Sequence, residues 1–170
     1  MAVVIDATVA GENSNSYVTL DDADDYFAAS VNNGDWLAYS AEQRTVALIT
    51  ATRDMEALSW HGEKLTDEQA LHFPRKADGE AILPAVAWAQ CEQALWRLGK
   101  QASPDLVDRE ALQAQGVTAI SLDGVSETYG GSGSGGLAPA AQRLLSWLRK
   151  RGARILPRYD RADYESDNVL

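Results

Sequence analysis

The chain has 170 residues, 45% of them hydrophobic, and carries 15 basic against 25 acidic side chains for a net charge of −10. That length supports one core with little left for a second, and the composition is that of a folded domain and not a disordered one. No apolar run nears the ~20 residues that a bilayer span needs, so no membrane partner is expected. The single cysteine, Cys91, excludes an intrachain disulfide or a multi-cysteine metal site. Met1-Ala2-Val3-Val4-Ile5 is too short for a signal peptide and lacks its basic start. The expectation is an unprocessed product of a reducing bacterial cytoplasm.

Caps and periodicity place the elements in order. Thr19 with Asp22 forms a short capping box, and Leu20, Ala23 and Phe27 share the helical face behind it. Asp21, Asp22, Asp24 and Asp25 load its first turns with the negative charge that a helix dipole favours. They lack the glycine turn and distal glutamate of a calcium loop, so no metal is expected there. Ser40 with Gln43 opens a second helix to about Leu58, its buried stripe being Ala47, Leu48, Ala51, Met55 and Leu58. Thr66 with Gln69 predicts a short third helix that must stop before Pro74.

Pro84 suits a first helical turn, and behind it Ala87, Trp88, Cys91, Ala94, Leu95 and Leu98 make one apolar seam. Val86, Ala89 and Trp96 lie off that seam, so this helix is apolar on two faces and is expected at the centre. Ser103-Pro104 opens a further helix ending at Gly116. The period then changes from helix to strand: Thr118, Ile120 and Leu122 alternate, Asp123-Gly124 is a two-residue turn, and Val125, Glu127 and Tyr129 alternate back. The fold class expected is mainly α, a small helical bundle with one inserted β-hairpin and an extended C-terminal arm. Its parts are a core over 1–129 with the hairpin at about 117–129, a Gly/Ser linker at 130–136, an amphipathic helix at 137–151, and a basic-then-acidic arm at 152–170.

Charge is uneven along the chain. Between Leu137 and Arg161 stand seven basic residues (Arg143, Arg149, Lys150, Arg151, Arg154, Arg158, Arg161) against Asp160 alone, a net of +6 that leaves −16 for the rest. An acidic body with a basic end repels polyanions over most of its surface and docks by that end.

Residues able to do chemistry are sparse. His61 and His72 have no second ligand or nucleophile spaced near them. The 130–136 glycine run lacks the lysine and Ser/Thr of a phosphate loop. Neither catalysis nor a cofactor is expected.

Several ordered motifs carry a resemblance: Ser16-Tyr17-Val18-Thr19, then Ala47-Leu48-Ile49-Thr50-Ala51-Thr52-Arg53, then Phe73-Pro74-Arg75 followed by Ile82-Leu83-Pro84. Over roughly Ser16 to Tyr129 the chain resembles a family of small phage proteins that look like head–tail adaptors (head completion proteins), many of them labelled DnaT-like single-stranded DNA-binding proteins. The resemblance implies a late structural protein of the virion neck, twelve copies forming a ring beneath the portal protein. Such a ring contacts a downstream connector, stopper or tail protein and passes genomic DNA without specific binding. On position and charge, Arg149, Lys150, Arg151, Arg154, Ile155, Leu156, Arg158 and Tyr159 would then dock to the portal, while Asp21, Asp22, Asp24 and Asp25 would line the channel. The alternative is a single-stranded DNA-binding protein of phage DNA replication, with Trp147, Tyr159 and Tyr164 interleaved among the C-terminal basic residues as base-stacking groups. The −16 carried by the body weighs against that alternative and favours the adaptor.

Overall fold

The computed structural model describes residues 3–101, the paired segments 119–122 and 125–128, and residues 136–149. The helix expected between Ser103 and Gly116, the Asp123-Gly124 turn, most of the Gly/Ser linker and the arm beyond Arg149 lie outside the described residues. Among the described residues, five helices make the architecture mainly helical: α1 (Leu20–Ala28), α2 (Asn33–Leu37), α3 (Ala41–Glu56), α4 (Pro84–Gln101) and α5 (Pro139–Leu145). The strands among the described residues are β1 (Ala119–Leu122) and β2 (Val125–Thr128), antiparallel, with Ala119 opposite Thr128 and Leu122 opposite Val125.

Local chemistry sets the helix starts. The Thr19 hydroxyl accepts the Asp22 N–H at 3.1 Å while the Asp22 carboxylate accepts the Thr19 N–H at 2.9 Å, the reciprocal box expected for α1. Ser40 and Gln43 do the same for α3 at 3.2 and 2.9 Å. Thr66 and Gln69 also form their box, at 3.2 and 3.0 Å, but no helix follows. The Gln69 amide instead donates to the Leu71 and Pro74 carbonyls, and Lys64 pairs with Arg75 in an isolated antiparallel bridge. The segment is thereby folded back on itself in too few residues for stable helical turns. Conversely, α2 escapes the sequence pattern: its five residues include Gly34, and Asn32 makes no capping bond. It exists to seat Trp36, fully buried and stacked on Phe27 at 4.6 Å.

Helix α4 is the central element, as its two apolar faces predict. Val86 and Ala89 join one cluster with Met55, Phe73, Leu137 and Leu145. Cys91, Ala94 and Leu98 join another with Phe27, Trp36 and Leu48. Trp88 departs from expectation: although it lies on the apolar seam, it is 48% exposed. The C-terminal helix is also shorter than the 137–151 span, because a turn at 146–148 leads the chain into an isolated bridge between Trp60 and Arg149.

Between the two clusters α4 carries two fully buried glutamines. Gln90 accepts the Tyr17 N–H at 2.9 Å and donates to Ser16 Oγ at 2.6 Å and the Leu48 carbonyl at 3.0 Å. Gln93 accepts the Ala138 N–H at 2.6 Å and donates to the Gly136 carbonyl at 3.1 Å and Asp54 at 2.7 Å. Asp54 also holds Arg97 through two bonds of 2.6 Å. A buried polar group left without its partner costs about 1–3 kcal/mol. Gln93→Leu, which strands the buried Ala138 N–H, should therefore destabilise the fold by about 1–3 kcal/mol in urea melts.

Beside this pair, the Tyr17 phenol donates to Glu56, whose carboxylate also accepts the His72 N–H at 3.0 Å. Burial, followed by the Glu56 charge, holds the Tyr17 phenol far above its ordinary value. Burial pushes the Cys91 thiol from near 9 up to about 12, with Glu92 and Asp22 adding to the shift. Both groups are kept neutral by folding, so their stabilisation is full below the unfolded pKa and is lost as pH rises towards and through the folded one. Urea melts should show stability falling from about pH 9 through Cys91. The fall should steepen above about pH 10, where each such group removes roughly 1.4 kcal/mol per pH unit. Tyr17→Phe should lessen the steeper part and leave the share of Tyr26, whose phenol is also held above its ordinary value by burial and by its bond to Glu92.

Candidate nucleic-acid interface

The end of the described chain is built onto the core by its backbone. Trp60 is 3% exposed and its indole N–H donates to the Met55 carbonyl at 3.2 Å, so it is a fixed point. The Trp60–Arg149 bridge and the His61 N–H donated to the Leu148 carbonyl at 3.0 Å tie the last turn to that point. Leu145 and Leu148 face inward and are buried. Trp147 is consequently turned outward, 64% exposed. Arg143 is exposed four residues earlier, on α5, whereas Trp147 stands on the turn that follows that helix. Arg149 lies half-buried two residues beyond.

Most other cations of the described core are engaged. Arg44 pairs with Asp24, and Lys76 with Glu63 at 2.9 Å. Lys64 donates to the Gln69 and Ala70 carbonyls at 3.0 and 3.1 Å. Arg75 donates to the Gly62 carbonyl at 2.8 Å and lies over Phe73. Arg97 holds Asp54, and it and Lys100 both lie over Trp96. Among the described residues Arg143 and Arg149 enter no ion pair, and neither does Arg53, exposed on α3. Of these three, Arg143 and Arg149 stand four residues before and two residues after Trp147 in the sequence. A solvent-facing indole flanked by guanidinium groups can stack a base and neutralise the phosphates beside it.

The remaining candidate residues are divided between the core and the arm. Asp21, Asp22, Asp24 and Asp25 all sit on α1, but two of them have internal work: Asp22 caps the helix, and Asp24 accepts the Trp36 indole N–H at 2.6 Å and binds Arg44. Asp21 and Asp25 are exposed. Of the eight arm residues only Arg149 is described; Lys150, Arg151, Arg154, Ile155, Leu156, Arg158 and Tyr159 lie outside the described residues, as do Tyr159's fellow stacking candidate Tyr164 and the rest of the tail. Sequence reasoning missed the Tyr26–Trp88 pair, because Trp88 fits the buried seam. The signal for its exposure is Glu92, one turn on along the same face.

Sites of other kinds have little to build on. His61 is exposed, and His72 lies 3.8 Å from Glu56 with its own N–H donated to that carboxylate. Among the described residues no three His, Cys, Asp or Glu side chains converge as metal ligands. A recess between the 7–11 loop, Tyr17 and Phe73 has about 10 Å³ of free space, room for one water and not for a substrate.

No curated protein and no solved structure matches the chain. A family profile described as "Putative DnaT-like ssDNA binding protein" matches residues 1–156, nearly the whole sequence and all of the described core. That match overturns the head–tail adaptor expectation: it points to single-stranded DNA, and not to a virion neck, a portal partner or a connector ring. The charge of the whole chain is a poor guide to its binding end. Screening confines exposed charges to a range of about 8 Å at physiological salt, so carboxylates on a distant face do not decide what Arg143, Trp147 and Arg149 meet. The chain belongs to the DnaT-like single-stranded DNA-binding family.

Proposed function

We propose that this protein binds single-stranded DNA, without catalysis, through the basic and aromatic C-terminal end that starts at Arg143. The observation that carries the reading is Trp147, an exposed indole on the turn at 146–148, with Arg143 four residues before it and Arg149 two residues beyond. Family membership supports it independently. Lys150, Arg151, Arg154 and Arg158 follow in the sequence and continue the positive track. The indole face accepts any base and the guanidinium groups accept phosphates, so binding is sequence-tolerant and salt-dependent. An unpaired strand is favoured over duplex because its bases can leave their neighbours and stack on Trp147.

Anisotropy of a labelled oligothymidylate titrated at several salt concentrations tests the reading. Trp147→Ala should weaken binding by about 1–3 kcal/mol. Replacing Arg143 and Arg149 with alanine should flatten the slope of log K against log salt by about 0.7 for each phosphate that is no longer neutralised. No binding at low salt, or a Trp147→Ala variant that binds like the parent, would refute the assignment.

A further inference from the structure

A second exposed tryptophan sits in the opposite electrostatic setting. Trp88 of α4 stacks on Tyr26 of α1 with ring centroids 6.4 Å apart and planes 27° from parallel. The Tyr26 hydroxyl donates to Glu92 at 2.8 Å. Asp22 precedes Tyr26 by one helical turn, and with Glu92 it is close enough to Cys91 to raise the thiol. Asp21 and Asp25 are exposed on the same helix. Neither α1 nor the Pro84–Trp96 stretch of α4 holds a single Lys or Arg. The result is an aromatic platform rimmed by carboxylates, which repels phosphate and suits a planar cation that can stack and form hydrogen bonds together.

The chain carries such a partner. Residues 150–161 contain Lys150, Arg151, Arg154, Arg158 and Arg161 against Asp160 alone. This segment follows Arg149 in the sequence, and the Trp60 bridge fixes Arg149 in place. Twelve residues span up to about 40 Å when extended, whereas α4, the longest helix of the described core, is about 27 Å long. The segment can therefore reach round the bundle, and its tether gives it an effective concentration on the order of millimolar at that face. We propose that the Tyr26–Trp88 face docks the chain's own 150–161 segment, by guanidinium stacking on Trp88 and pairing with Asp25 and Glu92. Single-stranded DNA then competes for the same basic residues, so the acidic body sets a threshold for binding. The competition rests on the single-stranded DNA reading; the docking itself does not.

The test uses the full-length protein, mixed from unlabelled and 15N-labelled preparations and treated with a zero-length carbodiimide coupling reagent. Lys150 should couple to Asp25 or Glu92 within one chain, and an added oligothymidylate should suppress that product. Trp88→Ala should reduce the coupling and tighten oligonucleotide binding several-fold with no change in net charge. Asp25→Asn, at an exposed position, should tighten it more than the charge-matched Glu68→Gln. Absence of the Lys150 product overturns the proposal. Coupling only between differently labelled chains overturns it in favour of a second copy as occupant. Weaker DNA binding by Trp88→Ala overturns it by making Trp88 a base-stacking site. If the intrachain product forms and needs Trp88 but the oligonucleotide neither binds nor displaces it, docking stands and the DNA-binding function falls.

Discussion

Gln90 and Gln93 hold together segments that hydrophobic packing alone would leave loosely ordered. One reaches towards the N-terminus and fixes Ser16 and Tyr17; the other reaches towards the C-terminus and fixes Gly136 and Ala138. Both lie on the helix that already separates the two apolar clusters, so the same backbone organises oil and hydrogen bonds together. A buried amide with every donor and acceptor matched admits one arrangement of its neighbours, because each alternative strands a polar group. The placement of α5, and with it of Trp147, follows from this constraint. Apolar contacts would tolerate a sliding α5; the Gln93 bonds to Gly136 and Ala138 do not.

Much of this architecture is legible in the sequence because it is written in local chemistry. Two capping boxes and a first-turn proline give the starts of α1, α3 and α4, and the double apolar face of α4 gives its central position. What was not legible depends on partners remote in sequence. Thr66 and Gln69 form their box as the pattern demands, yet no helix follows, because the Gln69 side chain is taken by Leu71 and Pro74. Helix α2 is too short for any periodicity to declare it. The roles of Gln90 and Gln93 are invisible in sequence, since a glutamine on a helix reads as surface. The candidate interface was half visible: the basic run and Trp147 stood out, but its attachment to Trp60 and His61 is a tertiary fact.

Charge gave the most misleading signal, and the tryptophans show why. Net charge describes a protein only at distances where its surface looks uniform. Trp88 and Trp147 are both exposed, but one is set among carboxylates and the other among arginines, so they present opposite fields to any ligand. An acidic chain can therefore hold a site for a polyanion, provided the site lies at one end and its cations are not already engaged. In this core most of the other described cations are engaged, by Asp24, Glu63, Asp54, backbone carbonyls or aromatic rings. Arg143 stands apart from them on the outer face of α5.

The bond from Gln93 to Gly136 also bears on how freely the chain can vary. Helix α4 is described as far as Gln101, and the chain returns to Gln93 of that same helix at Gly136. Along the axis those two points are only about 12 Å apart, so the described residues on either side of 102–135 are anchored close together on one helix. Closing a longer loop between fixed ends costs little, about 0.6 kcal/mol for each doubling of its length. Sequence added between these two anchors therefore costs the core little, and both clusters can keep their geometry while the length between Gln101 and Gly136 varies.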